Sequence, residues 1–368
     1  MAIHCRKAIV APRSALFALS LAIGMASCTP ATQQIGSSPS SSPTGQSSPT
    51  ASPQADRPAV VATTSLLCDV TRQIARDAID LTCLMPPNQD PHVYKATPSD
   101  RRAIETADLV LYGGYSYEPE LIRIVQATQT PAPKIAVYEA AVPDPLMGQP
   151  HEHDHGEAEA HDHDHAGETA GEAAGETDGE ASIPDPHVWH SATNGTKIVE
   201  VVEAQLAKLL PDRAAEFQQN TATLTGELTE IDGWIKTQVA KVPAPARQLV
   251  TTHNAFQYFA KAYGFTIKGA LDGLSTEEKP SAARLAELVD TVKNSGVKAI
   301  FSETTTNPKL IESVARSANV QVAEQPLFIE GPGGEGTSAP NYQAMLVENT
   351  CTVVNALGGN CDRSPVQP

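Results

Sequence analysis

Short apolar runs alternate with amphipathic stretches from residue 59 onward. AVVATT (59–64) reads as a buried strand, a helix is predicted over 66–78, and a second strand over 80–85. DLVLYGG (108–114) and KIAVY (134–138) add two more strands, with a helical segment at 117–127 between them. The same rhythm restarts at QLVTTH (248–253), FTIKGAL (265–271), KAIFSE (298–303) and VQVAEQP (320–326), with helices predicted at 255–263, 281–295 and 307–317. Such alternation favours parallel sheets covered by helices. Between the two halves, Ala214, Phe217, Leu224, Leu228, Ile231, Trp234, Ile235 and Val239 recur at helical spacing. A Pro-Asp start at Pro211 and a stop at Pro243 frame one helix of roughly thirty residues, weakened only by Gly226 and Gly233. The fold class is α/β, with two parallel-sheet lobes joined by a single long helix. Open parallel sheets place ligands beyond the carboxyl ends of their strands, so a cleft between the lobes is where chemistry is expected.

The first 58 residues do not share this rhythm. Arg6, Lys7 and Arg13 precede the apolar run Ala15–Ala26, and Met25-Ala26-Ser27-Cys28 follows, as in a secretory signal with a lipobox-like end. Residues 1–27 are therefore expected to be removed and Cys28 to carry lipid. Residues 28–58, rich in Ser, Pro, Thr and Gln, have nothing to bury and read as a disordered tether to a membrane. The lobes are then expected at 59–210, with an insert at 149–182, and at 243–362, with the helix at 211–242 between them.

Charge is as uneven as hydropathy. Residues 151–180 hold eleven acidic residues and no Lys or Arg, leaving about −6 of the net charge of −17 to all the rest. Without a basic cluster, nucleic acid is excluded as the expected partner. Of six cysteines, Cys5 leaves with the signal and Cys28 takes the lipid. The remaining four allow three pairings, of which locality favours Cys68–Cys83 and Cys351–Cys361.

Histidine carries the candidate chemistry. Asp90-Pro91-His92 follows the second strand, Asp185-Pro186-His187 repeats the phrase, and His253 ends the first strand of the second half. The phrases DPHVYKATPSD, DPHVW, LVTTHNAFQYFAKAYGF, EEKPSAARLAELVDTVKNSGVKAIFSETTTNPKLIESVA and LFIEGPGG stand in that order from about 59 to 358. In this the chain resembles the metal-binding solute-binding proteins of bacterial zinc and manganese ABC transporters. The resemblance implies lobes linked by a rigid helix with metal between them, and His92, His187 and His253 as ligands. It also implies a fourth ligand at Glu330, where the family usually has Asp. His190 stands where the family commonly has Leu-Asp after the Trp, and is expected beside the ligands or at the rim rather than on the metal. The partners implied are a membrane permease and a separate ATPase, with the chain itself a monomer.

Three imidazoles favour a borderline ion such as Zn(II), with Mn(II) the second choice because a hard ion prefers more oxygen. The insert carries His151, His153, His155, His161, His163 and His165 in two matched triplets among acids, and is expected to bind further zinc weakly. Two rival classes are weighed against a transport receptor. A zinc hydrolase lacks support, since H-E-x-x-H occurs only at His151–His155, inside the low-complexity insert and apart from the ligand phrases; Glu303 is the one stray candidate base, and its expected role is to cap the next turn. A surface zinc-storage or adhesion lipoprotein would depend chiefly on the insert. No P-loop is present, so an ATPase would be another polypeptide.

Overall fold

The computed structural model describes residues 57–148, 182–277 and 279–366. The signal region, Cys28, the tether and the six insert histidines lie outside the described residues.

The first half contains β1 (Ala59–Ala62), α1 (Ser65–Ala75), β2 (Asp80–Cys83), α2 (Pro98–Thr106), β3 (Leu109–Tyr112), α3 (Pro119–Ala127), β4 (Lys134–Ala136) and α4 (Val137–Ala141). Its strands form one parallel sheet in the order β2-β1-β3-β4. Local chemistry sets the helix starts. Thr64 caps α1 by accepting from Leu67 N, and Thr97 with Asp100 forms a capping box ahead of α2, with Pro98 in its first turn. The KIAVY run is cut short because Val137 opens α4, and Tyr138 N donates to Gly113 O instead of continuing the ladder.

Two short strands, β5 (Met147–Gly148) and β6 (Ile183–Pro184), pair antiparallel at the base of the insert. Leu146 N donates to the Tyr258 hydroxyl, which donates to Asp185 O, so this base is fastened to the second half. Then follow α5 (Ala192–Leu209) and the long α6 (Ala214–Val239). Phe217, Leu224, Leu228, Ile231, Trp234, Ile235 and Val239 of α6 are all buried, as their spacing predicts.

The second half holds β7 (Gln248–His253), α7 (Gln257–Tyr263), β8 (Thr266–Asp272), α8 (Ala282–Ser295), β9 (Ala299–Ile300), α9 (Lys309–Ala318), β10 (Gln321–Val322) and α10 (Tyr342–Ala356). The parallel pairs β7–β8 and β9–β10 meet where Phe301 N donates to Val250 O. The resulting order, β8-β7-β9-β10, repeats the winding of the first sheet. KAIFSE keeps only two residues in regular pairing, but its chain continues through Leu327 N to Ser302 O and the Glu303–Leu327 bridge.

The largest apolar core is shared between the halves. It runs from Val60 and Leu67 through Ile198, Leu228 and Trp234 to Phe256, Phe259 and Met345. Its last part comes from α10, which returns from the second half to pack on α6 and α1. Tyr342 N donates to Asp69 Oδ2, and the Tyr342 hydroxyl to Trp189 O. Disulfides join Cys68 to Cys83 and Cys351 to Cys361, the pairings locality favours.

Candidate metal centre

The repeated Asp-Pro-His phrase is a device for presenting an imidazole. Asp90 Oδ1 accepts from His92 N at 3.0 Å, opening a tight turn whose first residue is Pro91. Asp185 Oδ1 does the same for His187 N at 2.9 Å and also receives its ring Nδ1 at 2.8 Å. With Nδ1 engaged, Nε2 of His187 is left to face the cleft. His253 arrives differently, as the last residue of β7. Its backbone N donates to Glu303 Oε1 at 2.9 Å and its ring Nδ1 meets Oε2 at 2.7 Å. Glu303 therefore caps no turn, contrary to the expectation from sequence; it is buried and orients a histidine.

Glu330 follows Ile329, whose carbonyl accepts from Trp189 Nε1 at 3.1 Å. Gly331 next to it has φ +130°, and a Cβ there would lie 2.4 Å from Ser65 Oγ, so the turn behind Glu330 needs glycine. Oε2 of Glu330 accepts from the Tyr117 hydroxyl at 2.8 Å, while Oε1 faces the imidazoles, 3.2 Å from His253 Nε2.

His92, His187, His253 and Glu330 thus converge, all buried, with one donor atom from each within 4.8 Å of the others. Donors at about 2.0–2.1 Å around a tetrahedral ion stand about 3.3–3.4 Å apart. Here His253 Nε2 lies 3.2 Å from Glu330 Oε1 and 3.3 Å from His187 Nε2. His92 Nε2 lies 3.4 Å from His187 Nε2 and 3.8 Å from Glu330 Oε1. The hole has the size and donors of a four-coordinate cation site.

Its electrostatics suit a cation as well. Burial by itself would lower the His253 pKa, but the Glu303 and Glu330 carboxylates outweigh it and raise the ring well above 6.5. For Glu330, burial pushes upward, and the hydrogen bond and charge of His253, then His92 and His187, hold it well below the usual carboxylate range. Burial first and the Glu330 charge second push Asp90 up to about 6.

His190 is no rim residue. It is 1% exposed and stacks on Phe256 at 4.5 Å, and burial followed by the charge of His187 brings its pKa down to about 3. Sequence reasoning missed Asp185, Glu303 in its true role, and Tyr117. The duplicated Asp-Pro-His phrase carried a signal for the first; no local signal marks the other two, whose partners are 50 and 213 residues away.

Residues 60–356 match the family described as zinc-uptake complex component A, periplasmic. The chain is 32% identical over 303 residues to the manganese-binding lipoprotein MntA of Bacillus subtilis, covering 81% of this chain and 89% of that one. It is 31% identical over 306 residues to the zinc-binding protein TroA of Treponema pallidum, covering 82% and 89%. The solved structure of periplasmic TroA from the same organism superposes with a TM-score of 0.69 at 31% identity, over 82% of this chain and 99% of that one.

Proposed function

Since the chain belongs to the periplasmic zinc-uptake complex component A family, metal-binding substrate-binding proteins of ABC transporters and not enzymes, we propose that its cargo is Zn(II). It captures the ion outside the cytoplasm and delivers it to a membrane permease driven by a separate ATPase. The observation that carries the choice of metal is the donor set, three imidazole nitrogens and one carboxylate oxygen, whose neighbouring atoms stand 3.2 to 3.8 Å apart. Manganese is the second reading, because relatives such as MntA are named for it.

Capture is coordination without bond-making chemistry elsewhere. Because imidazole binds metal only through an unprotonated nitrogen, the ion displaces any proton held at Nε2 of the histidines as it arrives. Asp185 and Glu303 keep the other ring nitrogens occupied, so His187 and His253 present Nε2 without reorganising. Lipid on Cys28 and the tether of residues 28–58 would hold the receptor near its permease. The insert histidines, His151 through His165, would gather zinc loosely.

Competition against a zinc chelator, with manganese as challenger, tests this reading. One tightly held zinc ion is expected, retained when residues 151–180 are deleted and weakened more than about 100-fold by His253→Ala. Equal or better retention of manganese would replace the metal assignment. Loss of all tight binding with the insert would make the chain a storage protein.

A further inference from the structure

We propose that Tyr117 sets the metal preference of this site by restricting Glu330 to a single coordinating oxygen. The inference rests on the reading of His92, His187, His253 and Glu330 as the cargo site. Glu330 turns Oε1 toward the imidazoles, 3.2 Å from His253 Nε2 and 3.8 Å from His92 Nε2. The other oxygen, Oε2, accepts from the Tyr117 hydroxyl at 2.8 Å, and that hydroxyl also lies 3.0 Å from the Glu330 carbonyl oxygen. The phenol has no exposed surface. It stands edge-on to His92 and His187, with ring centroids 5.4 and 5.8 Å away, and is tilted against Trp189 at 4.8 Å and Tyr138 at 5.8 Å. Ring and hydroxyl are held in place from both sides.

A carboxylate that coordinates through both oxygens raises the donor count from four to five. A hard ion such as manganese gains from that larger, oxygen-rich shell, whereas zinc is satisfied by four donors. For Oε2 to swing onto the metal it must abandon a charge-assisted hydrogen bond in a dry site and deprive the buried Tyr117 hydroxyl of its carboxylate partner. The cost falls on the ion that wants the fifth donor. Tyr117 touches no metal; it acts as a positioning residue through Glu330.

Cobalt(II) absorption reads the donor count directly, because four-coordinate cobalt absorbs far more strongly than five-coordinate cobalt. The full chain, Tyr117→Phe, Glu330→Gln and the double variant are titrated with up to one equivalent of cobalt, and zinc is competed against manganese on each. The insert is common to all four proteins and cancels in the comparison. The wild type is expected to show the strong four-coordinate spectrum. Tyr117→Phe is expected to lose intensity and to narrow the zinc-over-manganese preference by about tenfold. In the Glu330→Gln background, where the amide has a single oxygen to offer, Tyr117→Phe is expected to change neither. An unchanged spectrum and unchanged preference in Tyr117→Phe, with Glu330→Gln altering the spectrum, overturn the proposal alone. An effect of equal size in both backgrounds makes ring packing the cause and overturns it too. A cobalt spectrum untouched by Glu330→Gln removes the carboxylate from the site, and with it both the proposal and the reading beneath it.

Discussion

Two carboxylates near the centre do different work, and each predicts its own variant. Glu303 keeps a charge on the far nitrogen of His253, which fixes the tautomer and makes Nε2 a stronger donor. Glu303→Gln preserves the shape and removes the charge; zinc affinity is expected to fall about 10- to 100-fold in chelator competition, with the circular dichroism spectrum unchanged. Glu118 lies away from the metal donors, fully buried, with Oε1 accepting from Gly113 N at 2.6 Å and Thr63 Oγ1 at 2.8 Å. Burial raises it from 4.5 to about 7, against the pull of those hydrogen bonds. Because the folded pKa exceeds the unfolded one, its contribution to stability is complete below about 4.5 and is lost as pH rises through about 7. Between pH 5 and 8, wild-type denaturation midpoints are expected to decline more than those of Glu118→Gln.

Among the elements, α6 shows how spacing and composition divide the labour. Its buried face came from apolar positions three and four apart, legible without any structure, and the helix runs over Ala214–Val239. Gly226 and Gly233 sit on the opposite, exposed side, and a Cβ at either would meet nothing within 4 Å. Each glycine costs backbone entropy and gains nothing from close packing. Gly226→Ala and Gly233→Ala are each expected to stabilise the metal-free protein by about 0.5–1 kcal/mol, seen as a higher denaturant midpoint with metal affinity unchanged. The shorter strands of the second half were harder to delimit. Apolar runs of a few residues carry little periodicity, and β9 and β10 are defined by which backbone they meet rather than by their own composition.

At the scale of the whole molecule, the centre draws on both sheets. His92 follows β2, His187 follows β6, His253 ends β7, and Glu330 lies beyond β10. An ion in that hole ties segments separated by most of the folded chain, so binding and global stability are linked. With free zinc at about a hundred times its dissociation constant, the fold is expected to gain roughly 2.7 kcal/mol. A thermal melt with and without zinc checks this, and His253→Ala is expected to abolish the difference.

The sequence by itself determined the alternation of strands and helices, the buried stripe of α6 and the three histidines, since each depends on spacing or on chemistry within a few neighbours. Glu330 was legible only through resemblance, because an isolated loop acid has no spacing of its own. The tertiary structure alone decided the order β2-β1-β3-β4 and its repetition in the second half, the return of α10 onto α6, and the partners of the donors. It moved Glu303 from a turn to a histidine and placed His190 in the interior rather than at a rim. It also put a tyrosine hydroxyl on the second oxygen of Glu330, 213 residues along the chain. Hydrogen bonds of that kind hold at about 2.5–3.0 Å and weaken beyond it, so they belong to the packing of distant segments and leave no period in the chain.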